Sequence, residues 1–367
     1  MSTRSTETPP TETPPGTNGD QAAAARAKVS ESIGEGYRWL DRIGAERVRN
    51  LIALAGVLIL FAIWAIAKDG FSLFVQRTFD GLNNGFIYAA MALALVLIYK
   101  ATGVVNFAQG NMAMFGTFIA YVLIVEQGFP TWVGIIVAML LSAVGGAVIE
   151  RLFVRPFDPT NHLAITIVTL AWFIILGAIA GIIWGFDPKA FPTPFPGGIN
   201  DKLTVFNATL AYAKLGIWVT IIVVVLLVNL LLRRTKAGLA FRSVSSNLES
   251  SRLVGIHTGR TLQFGWALAA AVGTLAGCLI ANNTLLTPNF MGTVLIYSFA
   301  AATLGGLDSV AGAVVGGVLI GLIETMAGGY IGFIGTDLAL ASALAVIVVV
   351  LLIRPSGLFG TPRVERV

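Results

Sequence analysis

The stretch Thr261–Gly306, TLQFGWALAAAVGTLAGCLIANNTLLTPNFMGTVLIYSFAAATLGG, runs for forty-six residues without an Asp, Glu, Lys or Arg. A soluble core hides an apolar run of about ten residues, but an uncharged run of 18 or more reads as a crossing of the roughly 30 Å hydrocarbon layer of a bilayer. Such runs follow one another from Leu51 to Ile353. The sequence therefore predicts an all-α, polytopic transmembrane protein, and the functional question becomes what crosses the membrane and what drives it.

Composition agrees. Apolar residues make up 56% of the chain and charged residues 12%, about half the charged share of an average soluble domain, and the charges cluster between the apolar runs. The net charge of +5 matches the basic bias of membrane-protein loops. No basic patch is interleaved with aromatics in the manner that reads nucleic acid. The only cysteine, Cys278, lies inside an apolar run, which rules out an intrachain disulfide and a cysteine metal cluster and leaves a small packing residue.

The first fifty residues are different material. Thr6–Pro10 and Thr11–Pro15 are copies of Thr-Glu-Thr-Pro-Pro, and residues 1–25 have too little apolar surface to offset the entropy of ordering, so they read as a disordered tail. Residues 26–50 carry Arg26, Lys28, Arg38, Arg42, Arg47 and Arg49 with the spacing of a basic amphipathic helix on the cytoplasmic surface. No cleavable signal peptide is expected ahead of the first span. The domain that follows, 51–353, divides into the spans Leu51–Ala67, Gly81–Tyr99, Val104–Val125, Trp132–Ile149, Leu163–Trp184, Leu215–Leu232, Leu262–Ala281 and Leu338–Ile353. These are about eight full crossings, plus a segment Val294–Ile323 that is longer than one crossing.

Orientation decides how that segment runs. The N-terminal region, the loop 233–260 (Arg233, Arg234, Lys236, Arg242, Arg252 and Arg260 against Glu249) and the tail 354–367 are all basic, so the positive-inside bias places all three in the cytoplasm. Six spans separate the first two. Two separate the loop from the C-terminus, so Val294–Ile323 must enter and leave on the same side. Its glycines Gly305, Gly306 and Gly312 suit a broken helix or re-entrant hairpin, which a membrane tolerates only inside protein or beside water. Gly316, Gly317 and Gly321 add a face for close helix contact.

Catalytic candidates are absent. No lysine follows a glycine, so no Walker-type phosphate loop is present and the chain is not expected to hydrolyse ATP through a Walker-type site of its own. The histidines are His162 and His257 alone, with no metal cluster and no nucleophile–base constellation. No charged residue is expected in mid-span, whereas an ion-coupled transporter usually buries one. Polarity inside the spans comes from amides. Asn83, Asn84, Asn282 and Asn283 read as interhelical ties. Asn106, Gln109 and Asn111, clustered with Gly103, Gly110 and Gly116, read equally as ties or as residues of a substrate pathway.

The loop 233–260 holds a second signal. Ser246-x-x-Glu249 has capping-box spacing and Gly255 stands where a helix C-cap belongs, which predicts a two-turn cytoplasmic helix over Asn247–Val254. It is either a plain connector or a lever gripped by a cytosolic partner, with Leu248, Leu253 and Ile256 as apolar contacts and Arg252 among its polar residues.

Gly81–Gly116, the 234–256 loop, the run Leu304–Gly317 and the ending Arg354-Pro-Ser-Gly-Leu-Phe-Gly360 together resemble the permeases of branched-chain amino acid ABC transporters, in the right order from about Gly81 to Val367. The resemblance implies an importer built from a sister permease chain, two cytosolic ABC ATPases and an extracytoplasmic solute-binding protein, with ATP bound by the partners and with 234–256 as the coupling helix. Gln109 and Asn111 stand where many relatives carry His and an acid, and Asn247-Leu-Glu249 where relatives often have Asp-Pro-Glu. Urea and short-chain amide permeases of the same family therefore remain open as readings of the solute. A stand-alone secondary transporter or channel is the alternative from another class, and a membrane-embedded enzyme a distant third.

Overall fold

The computed structural model describes residues 59–157, 161–196, 198, 201–333, 335, 338–354 and 356–360. The tail 1–25, the basic segment 26–50 and residues 51–58 of the first expected span lie outside them; residues 59–69 form helix α1. A compact body begins at Asp69. In it the apolar runs become α2 (Phe71–Thr102), α3 (Gln109–Tyr121), α4 (Thr131–Ile149), α5 (His162–Trp184), α6 (Tyr212–Arg234), α9 (Thr258–Thr284), α10 (Met291–Gly305), α11 (Val310–Tyr330) and α12 (Ala339–Ile353), and the polar loop between α6 and α9 carries α7 (Lys236–Ser246) and α8 (Leu248–Leu253). One π-helical turn extends α3 over Val122–Glu126, and another extends α4 over Glu150–Val154.

Six of these helices are long and apolar enough to cross a bilayer: α2, α4 with its π turn, α5, α6, α9 and α11; α10 and α12 are shorter and apolar. In α2 and α9, 83% and 78% of the apolar window is buried, against 22% in α5 and α6, so α2 and α9 form the centre and the others surround them. The expected boundaries hold to within a few residues for α4, α5, α6, α9 and α12. Two differ more. Val104–Ala108 is irregular and α3 starts only at Gln109, because Gly103 closes α2 in the left-handed region at φ +72°, where glycine alone carries no Cβ penalty. In the other direction, α2 starts ten residues before the expected Gly81. At 32 residues it is about 48 Å long, so its first turns hold Arg77 and Asp80.

The fold is not wholly α. β1 (Lys202–Val205) and β2 (Ala208–Ala211) pair antiparallel, with Lys202 opposite Ala211 and Val205 opposite Ala208. The turn residues Phe206 and Asn207 sit at φ +54° and +61°, the two positive φ values of the type I′ turn that matches strand twist. The hairpin marks one end of the body. There Gln76 of α2 accepts from the Thr209 backbone N–H at 2.7 Å and Asp80 pairs with Lys214 of α6. At the other end Lys100 Nζ donates to the Asp308 carbonyl at 2.9 Å, and Arg242 and Ser246 of α7 share a cavity with both.

Close contact of α2 and α11 depends on two glycine pairs. Gly81 and Gly85 on α2 and Gly317 and Gly321 on α11 are each spaced by four, the small-xxx-small pattern that lets helix backbones meet in a membrane. A Cβ on Gly85 would stand 2.7 Å from the Val318 Cα, one on Gly321 2.2 Å from the Gly85 nitrogen, and one on Gly317 2.4 Å from the Ala89 Cα. The opposite side of α11 meets α10 in the same way. A Cβ on Gly305 would lie 2.0 Å from the Gly312 carbonyl oxygen, and one on Gly316 2.1 Å from the Ala301 carbonyl oxygen.

The segment Val294–Ile323 is thus a broken helix. α10 and α11 form a hairpin whose turn meets Lys100 of α2 at the Asp308 carbonyl. Gly306 leaves α10 at φ +105°, and Ser309 caps α11 by accepting from the Gly312 N–H at 3.0 Å. A helix end inside a membrane needs partners for its last carbonyls. The C-terminal segment supplies them: Leu358 N–H donates to the Leu304 carbonyl at 2.8 Å and Phe359 N–H to the Gly305 carbonyl at 2.9 Å. Arg354 Nη1 then holds the Leu358 carbonyl at 2.9 Å.

Because backbone atoms stand where the new methyl groups would go, Gly85→Val and Gly321→Val should each destabilise the purified protein by about 3 kcal/mol or more. Gly145→Ala, with nothing within 4 Å of the added Cβ, should leave the melting temperature in detergent unchanged. Equal melting of all three variants would contradict the packing account.

Candidate coupling site and buried polar centres

The polar loop after α6 folds into a braced two-helix module. Thr235 caps α7 by accepting from the Gly238 N–H at 3.0 Å, and α7 buries Gly238, Phe241 and Val244 at a spacing of three. The expected capping box does not form, because α7 runs through Ser246. Asn247 is the residue with extended backbone, at φ −155° and ψ 111°. Its own side chain, an acceptor of the kind favoured at N-caps, takes the Ser250 N–H at 2.8 Å. α8 therefore starts at Leu248, and Glu249 stays exposed in its first turn. Its far end matches the expectation at Gly255. The Gly255 N–H donates to the Arg252 carbonyl and the Ile256 N–H to the Ser251 carbonyl, both at 3.0 Å, with Gly255 at φ +84°, which is a Schellman motif. Ser251, 2% exposed, contacts the Ser243 hydroxyl at 3.0 Å and donates to the Asn247 carbonyl at 2.7 Å, locking α8 onto α7.

Beside the exposed Glu249, Ser250 and Arg252, the C-terminal tip of α8 is apolar: Leu253 is 88% exposed and Val254 74%. Behind it lies a cavity of about 710 Å³ whose walls include Leu248, Arg252, Glu150, Arg155 and Trp266. In that wall Arg155 grips Glu150 through Nη2 at 2.6 Å and Nε at 3.2 Å and reaches the Gly259 carbonyl at 2.7 Å. Gln263 Nε2 donates to the Ala147 carbonyl at 3.1 Å. The start of α9 and the end of α4 are therefore cross-tied directly behind α8.

The amide cluster is fully buried. Asn106 Nδ2 donates to Gln109 Oε1 at 3.2 Å, and its own oxygen caps the Ala108 N–H at 3.0 Å. Gln109 Nε2 donates to the Ala269 carbonyl of α9 at 2.9 Å, and Asn111 Nδ2 to the Phe173 carbonyl of α5. In this conformation the three residues tie α3 to α9 and α5, and none of them borders the cavities at the α7–α8 end. Asn282 and Asn283 stand exposed at the end of α9, not between helices.

One residue overturns an expectation. Glu324 lies in α11, whose helix continues seven residues beyond the apolar run that ended at Ile323. It is half-buried and accepts from the Tyr88 hydroxyl of α2 at 2.8 Å, with Tyr297 of α10 stacked on the Tyr88 ring and Asn84 of α2 nearby. Tyr88 stands near the middle of the 32-residue α2, so this is a carboxyl group at membrane depth. The sequence signal was the spacing: Glu324 follows Gly321 by three residues and so shares its face toward α2. Among the described residues no group of three or more His, Cys, Asp or Glu could hold a metal ion.

Comparisons with known proteins fit this architecture. Residues 77–353 match the family described as branched-chain amino acid transport system / permease component. The high-affinity branched-chain amino acid transport system permease protein LivH of Salmonella typhimurium is 28% identical over 310 residues, 82% of this chain and 100% of the relative. BraD of Pseudomonas aeruginosa, of the same description, is 28% identical over 80% of this chain and 98% of its own. The probable LivH of Methanocaldococcus jannaschii is 29% identical over 76% and 91%. With three quarters of its length inside that match and its polar loop folded as a braced helical module, the chain belongs to the family of branched-chain amino acid transport permeases.

Proposed function

We propose that this chain is the membrane-spanning subunit of an ABC importer for branched-chain amino acids, paired with a sister permease, driven by two cytosolic ATPases and fed by an extracytoplasmic binding protein. The observation that carries this reading is the exposed Leu253–Val254 tip of α8 on a module too well tied to be a loose connector. An apolar pair that protrudes from a rigid helix end suits a socket on a partner protein. The basic excess of residues 233–260 supports a cytoplasmic position for that tip, where an ATPase would meet it. Force applied to α8 has a route inward through Arg252, whose Nε donates to the Thr258 hydroxyl at 3.3 Å, to α9, which Arg155 and Gln263 tie to the end of α4, and α9 is one of the two central helices.

The solute assignment follows the named relatives, all of them branched-chain amino acid permeases. A stand-alone secondary transporter loses some of the argument against it, since Glu324 is an acid at membrane depth, and the weight passes to α8. The buried amides Asn106, Gln109 and Asn111 act in this proposal by holding α3 against α5 and α9 as the helices rock. The turn at Gly305, Gly306 and Gly312 keeps the α10–α11 hairpin one moving piece.

Two outcomes follow. Leu253→Asp places an unpaired charge in the proposed socket, so ATPase binding should weaken by at least about 2 kcal/mol, roughly thirtyfold, while membrane insertion is unaffected. Co-purification of the ATPase with the variant at the wild-type ratio would remove the coupling assignment. For orientation, cysteines introduced at exposed Ser246 and Thr204 in a Cys278→Ser background should react with a membrane-impermeant maleimide from opposite sides, Ser246 from the cytoplasm. Reaction from one side only would contradict the topology.

A further inference from the structure

The α2–α10–α11 contact holds a carboxylate with donors around it and no cation beside it. The ion pairs Arg77–Asp69, Arg155–Glu150 and Lys214–Asp80 do not involve Glu324. The group that bonds to it is the Tyr88 hydroxyl, a donor that suits the ionised acid, with Tyr297 and Asn84 close by. A negative charge at this depth without a counter-charge is costly, and such residues face a bundle interior or a water-filled passage. Glu324 is half-buried, so part of it opens on the surface of the subunit. Lipid cannot occupy that opening favourably. A passage shared with a second permease chain can.

The aromatic pair narrows the chemistry. Tyr88 and Tyr297 stack with ring centroids 4.9 Å apart and planes 20° from parallel, each 4% exposed, directly beside the carboxylate. The two rings cover each other's faces and present their hydroxyl edges, so what the site offers an organic cation is the carboxyl group's charge and hydrogen-bond acceptors. We propose that Glu324, framed by Tyr88, Tyr297 and Asn84, receives the ammonium group of the amino acid as it passes between the two permease chains. This rests on the reading of the chain as an amino acid importer, and it adds a role that a neutral solute such as urea would leave unfilled.

The test uses the complete transporter, both permeases and both ATPases, in proteoliposomes supplied with leucine-loaded binding protein. Glu324→Gln keeps the shape and the acceptor oxygen and removes the charge. Leucine uptake per assembled complex should fall at least about tenfold, with Glu324→Asp retaining more activity than the amide. Normal uptake by Glu324→Gln would overturn the proposal and leave the importer reading intact. Loss of the sister permease from the Gln variant during purification would also overturn it, by assigning the charge to the contact between permeases. A wild-type complex that carries urea and not leucine would instead sink the importer reading, and the ammonium site with it. A measurement on unmodified protein guards against misfolding of the variants: carbodiimide labelling of Glu324, followed by mass spectrometry, should slow when leucine-loaded binding protein is added to the wild-type complex. Unchanged labelling counts against the site.

Discussion

The contact on which the rest depends is the meeting of α2 and α11 at backbone distance. Association of helices in lipid gains little from burial, because the tails are as apolar as leucine; it depends on close packing. Gly81 and Gly85 against Gly317 and Gly321 provide that closeness, to the point where a single methyl group would collide with backbone. The same contact brings α2 side chains against the hairpin, which is how Tyr88 and Asn84 come to meet Glu324. On its other face α11 holds α10 through Gly312 and Gly316. One helix with two glycine faces thus joins the central α2 to the broken segment, and the C-terminal residues Leu358 and Phe359 complete it by pairing the last carbonyls of α10.

A second consequence concerns where the molecule can move and where it cannot. α3 is tied to α9 by Gln109 and to α5 by Asn111, and α4 is tied to α9 by Gln263 and Arg155. Each tie is a side chain held by a backbone carbonyl of another helix, so neighbours move together. The α7–α8 module is braced by its own caps and by Ser243–Ser251, with its apolar tip left outside. A push at Leu253 therefore meets a stiff element, and Arg252 ties that element to Thr258 at the start of α9. That is the arrangement a transmission needs, and it explains why so short a helix carries three separate anchoring devices.

Much of this was legible in the sequence, for physical reasons that differ by element. The spans are readable because the bilayer imposes length and apolarity together, and the ends of α5, α6 and α9 fall within a few residues of the expectation. Gly255 is readable because only a left-handed C-cap suits it there. Other features were hidden. Ser246 and Asn247 are both good caps, and the choice between them depends on how far α7 extends, which Phe241 and Val244 settle by packing. Gly81 and Gly85 lay at the edge of an expected span, so their pairing with Gly317 and Gly321 was not visible from one helix alone. Glu324 is hard to read from sequence because a charge normally ends an apolar run, whereas the Tyr88 hydroxyl of another helix lets α11 carry that carboxyl group deeper. The β-hairpin escaped because a two-residue turn of Phe206 and Asn207 lacks the glycine that usually announces it.

The central claim is that this chain moves a solute with energy supplied from outside itself through α8. The most direct measurement is leucine accumulation in proteoliposomes holding the reconstituted transporter, with the energy source varied. Accumulation should require hydrolysable ATP and loaded binding protein, and should persist when ionophores collapse every ion gradient. Accumulation by this chain without the ATPases, driven by an imposed proton or sodium gradient, would contradict the account.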